Sequence, residues 1–85
     1  MQTFDYVIKD AEGIHARPAG LLVKKAKEFG CAITITKGEK TVDAKKLFAV
    51  MSLAAKSGET ITMGCDGDNE EAAAEAMKAF LAENL

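Results

Sequence analysis

Apolar and polar residues alternate along residues 3–8 (TFDYVI), which puts Phe4, Tyr6 and Ile8 on one side and predicts a half-buried strand. A polar turn follows at residues 10–13. From about residue 18 to 29 the period becomes helical. Ala19, Leu22, Val23, Ala26 and Phe29 form one stripe, and Lys24, Lys25, Lys27 and Glu28 take the other side. Gly30 is the expected helix stop. Residues 31–36 (CAITIT) alternate with β-branched positions, and the turn KGEK leads into a hairpin partner at 41–43. A short helix at 45–53 and a fourth strand at 59–65 (ETITMGC) come next. The last helix should start at Asp68, paired with Glu71 in a capping box, and bury Ala73, Ala76, Met77, Phe80 and Leu81.

The order β-α-β-β-α-β-α predicts an α+β fold, an antiparallel sheet with one face covered by helices. Right-handed crossovers would set the first strand beside the fourth, and the fourth beside the second. That pairing brings Cys31 toward Cys65. The middle helix is unusual: Leu47, Phe48, Val50, Met51 and Leu53 are five large apolar residues within seven positions. Val50 and Leu53 can face inward together, which leaves Leu47, Phe48 and Met51 for solvent. Apolar side chains exposed among lysines read as a binding patch.

Length and composition narrow the class. Eighty-five residues make one domain, residues 1–85, and 48% apolar with 28% charged residues argues against disorder. No apolar run reaches ~18 residues and the N-terminus lacks a signal-peptide pattern, so a cytoplasmic protein without membrane insertion is expected. The two cysteines show no metal-type spacing and read as buried, reduced thiols. No metal or cofactor is implied. The net charge of -2 hides a polarised distribution: residues 15–56 hold nine bases and three acids (+6), the rest two bases and ten acids (-8). One basic face on an acidic protein suits docking to an acidic partner.

The segment GIHARPAG (residues 13–20) contains the only histidine, the only proline and the only arginine of the chain. Proline is tolerated in the first turn of a helix and no deeper, so Pro18 marks a helix start with His15 at or just ahead of it. The first N–H groups of a helix lack partners and carry partial positive charge, a ready site for phosphate. Arg17 adds a guanidinium fork that stays charged, and the backbone at Ala16 and Arg17 supplies donors. Histidine, largely neutral near pH 7 in its free form, is a competent nucleophile. The expected product is a phosphohistidine, since phosphoryl transfer rests mostly on positioning and charge stabilisation.

GIHARPAG, the later segment KTVDAKKLFAVMSL and the element order together resemble the HPr family, histidine-containing phosphocarriers of the bacterial phosphoenolpyruvate-dependent sugar phosphotransferase system. The resemblance spans essentially the whole chain. It implies an open-faced β-sandwich of four antiparallel strands under three helices. It implies that His15 is phosphorylated on Nδ1 by phospho-enzyme I, that Arg17 neutralises the phosphate, and that the group passes to IIA domains of sugar permeases. Such a protein is a carrier rather than an enzyme and is expected to be monomeric, with no nucleic acid among its partners. Gly20, Leu47, Phe48 and Met51 would meet those partners, with Lys24, Lys27 and Lys45 at the rim. Many Gram-positive members carry a regulatory serine just ahead of the middle helix. Here Lys46 stands there and cannot receive a phosphate. A paralogous phosphocarrier of a regulatory or dihydroxyacetone kinase branch is the alternative.

Two other classes are weaker. A nucleic-acid module on such a sheet needs stacking aromatics on its open face. A phosphatase needs a water-positioning amide near the histidine, and Asn69 and Asn84 are both distant from His15 along the chain.

Overall fold

The computed structural model describes all residues, Met1–Leu85. Strands β1 (Gln2–Val7), β2 (Ala32–Lys37), β3 (Lys40–Asp43) and β4 (Thr60–Asp66) form one sheet, every pairing antiparallel, in the order β1-β4-β2-β3. Helices α1 (Ala16–Ala26), α2 (Leu47–Ser52) and α3 (Glu70–Asn84) cover one face. This is the open-faced arrangement expected from the pattern, with the fourth strand between the first and second.

Alternation decides which face is covered. Phe4 pairs with Met63, Tyr6 with Ile61, Ile33 with Cys65 and Ile35 with Met63, and all these point toward the helices. Twenty buried apolar residues make one cluster there, with Phe4, Tyr6, Phe29 and Phe80 packed against it. The opposite face carries threonines and small residues. Thr62 donates to Asp5 at 2.7 Å and the hydroxyls of Thr36 and Thr41 meet at 2.8 Å, each a directly opposed cross-strand pair. No aromatic ring lies on that open face.

Cys31 and Cys65 are free and buried. Burial pushes the Cys65 thiol up, and the nearby Cys31 and Glu70 push the same way, so it stays protonated and inert. The Glu59 carboxyl lies below the usual range because the Lys56 N–H donates to it, with the Lys37 ammonium adding to this.

Three element ends depart from expectation. Helix α1 stops at Ala26, and residues 27–29 tighten through Glu28 N–H to Lys25 and Phe29 N–H to Ala26. Gly30 has no left-handed backbone, so it is not the helix stop. Asp68 does not cap α3. Asn69 precedes the helix in a left-handed conformation, and Glu70, not Glu71, reaches back to accept the Gly67 N–H at 3.2 Å. Helix α2 is shorter than the expected 45–53, running Leu47–Ser52, and Ala54, also left-handed at φ 50, follows its end.

Candidate functional site

His15 is the residue just before α1, with extended backbone (φ -120, ψ -176), and its side chain makes no capping bond. The first helical bond runs from the Ala19 N–H to the His15 carbonyl at 2.9 Å. Pro18, in the first turn, has no N–H to orphan and is buried under the helix. The N–H groups of Ala16 and Arg17 find no acceptor within the chain. An open helix end with two free donors and partial positive charge therefore lies directly beside a half-exposed imidazole.

The loop carrying His15 is fastened on two sides. Ile14 N–H donates to the Ala55 carbonyl at 2.9 Å, and Ile14 itself is buried. Gly13, at φ +69, rides so close to this segment that a Cβ there would run into the Ala55 carbonyl and stand 2.8 Å from Lys56 Cα. On the other side, the N–H groups of Lys9 and Asp10 both donate to the Leu85 carbonyl, at 2.6 and 2.7 Å. The C-terminal end of α3 thus supports the histidine loop from below. These contacts hold the imidazole in place without enclosing it.

An open pocket of about 220 Å³ is lined by Asp10, His15, Arg17, Pro18, Leu21 and Asn84. It unites His15 and Arg17, as the sequence motif requires of neighbours on one turn. It also brings in Asn84, whose 69-residue separation in sequence suggested distance; the return of α3 to the β1–α1 loop overrides that separation. The Asn84 amide donates one of its two N–H groups to the Phe80 carbonyl at 3.0 Å. Asp10 carries no motif that could have marked it from sequence.

The remaining singled-out residues divide. Leu47, Phe48 and Met51 are 37%, 83% and 37% exposed, while Val50 and Leu53 are buried. Leu21, 42% exposed on α1, adds to the apolar surface and could have been noticed as a leucine off the buried stripe. Lys24 and Lys27 are exposed, and Gly20 has open space where a side chain would go. Lys45 is placed otherwise: its half-buried ammonium donates to the Phe29 carbonyl at 2.7 Å, closing the end of the α1 turn rather than reaching outward. Lys46 sits just before α2 with no side-chain cap bond.

The fold and this site define a small α+β protein that presents one imidazole beside an open helix end. A family model described as the phosphotransferase system "HPr component phosphorylation site" matches residues 2–83. The chain is 40% identical over 81 residues to the phosphocarrier protein HPr of Haemophilus influenzae, covering 95% of both chains. It is 45% identical over 74 residues to the HPr-like protein Crh of Halalkalibacterium halodurans, covering 87% of this chain and 88% of that one. Among solved structures, an HPr from Thermoanaerobacter tengcongensis superposes with a TM-score of 0.94 at 34% identity, over 99% of this chain and 94% of the other. The chain belongs to the HPr family of phosphotransferase-system phosphocarriers.

Proposed function

We propose that His15 accepts a phosphoryl group from phospho-enzyme I, originating in phosphoenolpyruvate, and donates it to IIA domains of sugar permeases. The observation that carries this reading is the pairing of an accessible imidazole with the unsatisfied Ala16 and Arg17 N–H groups at the start of α1. A dianionic phosphoryl group on Nδ1 gains from those donors and from the helix dipole, and the Arg17 guanidinium supplies a full positive charge on the same pocket. The protein supplies position and charge and has no turnover of its own, acting as a substrate of its partners.

Docking falls to Leu47, Phe48 and Met51, with Gly20 and Leu21 on α1 and a rim of Lys24 and Lys27. A carrier must leave one partner for the next, which suits a small interface of apolar anchors steered by charge. The working location is the cytoplasm, in keeping with the finding that no helix is long and apolar enough to cross a membrane, and the working form is the monomer. The test is transfer of label from phosphoenolpyruvate through enzyme I. The expected product is an acid-labile, alkali-stable adduct that disappears in His15→Ala. A wild-type chain that stays unlabelled refutes the reading.

A regulatory paralogue is the second reading, favoured by the similarity to an HPr-like protein Crh. Its signature would be charging of His15 without delivery to any sugar-permease IIA domain. Because Lys46 replaces the serine that a dedicated kinase modifies in many relatives, incubation with that kinase and ATP should yield no phosphoserine.

A further inference from the structure

Two carboxylates with no motif of their own stand against the imidazole. Glu12 Oε2 lies 3.5 Å from His15 Nε2, and Asp10 Oδ1 lies 3.9 Å from the same nitrogen. The loop sets their positions. The Asp10 carboxylate accepts the Glu12 N–H at 2.8 Å, the Asp10 carbonyl accepts the Gly13 N–H at 3.0 Å, and the Asp10 N–H is tied to the Leu85 carbonyl. Arg17 and Asn84 line the pocket from α1 and α3, so Asp10 and Glu12 are the acidic side chains facing the ring.

The geometry points to Glu12, with Asp10 behind it, as a positioning residue for the phosphoryl exchange proposed above, on which this inference rests. Carboxylates on the Nε2 side favour a proton on that nitrogen and leave the Nδ1 lone pair free. On acceptance, the Nδ1 pair attacks phosphorus, and the bond from phosphorus to the donor breaks with its electrons leaving on the donor. The ring keeps its Nε2 proton and becomes a phosphoimidazolium, whose positive charge the two carboxylates offset. On donation, the P–Nδ1 bond breaks, its electron pair returns to Nδ1, and the acceptor's nucleophile takes the phosphoryl group. Because Nε2 stays protonated, the ring departs as neutral imidazole instead of an imidazolate anion. The carboxylates thus keep the phosphoryl group easy to pass on, as the acid of a catalytic triad holds its histidine in one tautomer and steadies the cation that forms.

The side chains of Asp10 and Glu12 are 34% and 75% exposed, so solvent screens them and the effect is moderate. The experiment compares wild type with Glu12→Gln, Asp10→Asn and the double variant. Ring 15N NMR reports the His15 tautomer in the uncharged protein. Single-turnover transfer from the purified phospho-form to a IIA domain reports donation. The double variant should show a smaller Nε2–H population and transfer slowed about fivefold to tenfold, with Glu12→Asp largely normal. If either quantity in the double variant stays within about twofold of wild type, the inference is overturned. Should the double variant melt early, Glu12→Gln alone decides the matter: a slowing of about twofold to threefold is expected, and a transfer rate and tautomer population indistinguishable from wild type overturn the inference. A wild-type chain that enzyme I fails to charge refutes the proposed function, and the tautomer measurement then decides the present inference by itself.

Discussion

Gly13 shows how much one residue without a side chain controls. Its φ of +69 lies in the left-handed region, and its Cα faces the Ala55–Lys56 backbone with no space for a methyl group. The obstacle is main chain, not a flexible side-chain end, so it does not yield cheaply. Gly13→Ala therefore combines the left-handed penalty with a steric one, about 2–3 kcal/mol in all. A domain of this size should lose roughly 10–20 °C of melting temperature, measured by calorimetry. The Ile14–Ala55 hydrogen bond should break as well, and the amide resonances of residues 12–17 should shift in NMR spectra. A melting curve unchanged from wild type would show that the loop has another way to close.

At the scale of elements, the entry into α2 is an unfavourable one. Lys46 precedes the helix, offers no oxygen to cap it, and adds positive charge at the end where N–H groups already point outward. Lys46→Asp supplies a cap and reverses the charge. A gain of about 1 kcal/mol follows, or roughly 4–8 °C in melting temperature. Thermal denaturation measures it directly, and a fall in melting temperature would mean the lysine makes contacts beyond those seen.

The same scale shows what the chain's pattern could and could not reveal. The strands were legible because a sheet covered on one side demands strict alternation, as Phe4, Tyr6, Ile33, Ile35, Ile61 and Met63 display. The start of α1 was legible because proline allows few positions. Helix ends were not. Gly30 and Asp68 have the right residue types for a stop and a cap, yet the chain uses a tightened turn at one place and Glu70 at the other. These choices rest on tertiary contacts that no local pattern records. Lys45 is the same lesson for charge: composition places it with the other lysines, but Asp43 accepts its N–H at 2.8 Å and Phe29 its ammonium proton, so its tip turns inward. Within the site, His15 and Arg17 announced themselves through a compact motif, whereas Asp10 and Glu12, close by in the same loop, carry no motif, and Asn84 joins them only when α3 returns to the β1–α1 loop.

Across the whole molecule, acidic and basic residues are sorted onto separate stretches of the chain. The acids cluster toward α3 and the loop before it, whose Glu70 binds the N-terminal ammonium at 2.8 Å, while the middle of the chain carries the excess of bases. Of those bases, Lys25 pairs with Glu28 and Lys37 with Glu59, which leaves Arg17 and Lys24 on α1, and Lys27 just after it, without a carboxylate partner. Free cations near an exposed Phe48 fit an encounter in two stages, long-range attraction first and apolar contact second. The stages predict different responses. Lys24→Glu or Lys27→Glu should slow charging by enzyme I by lowering the association rate, and raising salt from about 0.05 M to about 0.5 M should slow the wild type in the same way. Phe48→Ala should instead speed dissociation, while its melting temperature changes little because the ring is 83% exposed and buries almost nothing. Stopped-flow measurement of both phases separates the two. A wild-type association rate indifferent to salt would remove charge steering from the mechanism, and a large loss of stability in Phe48→Ala would move that ring from the docking surface into the core.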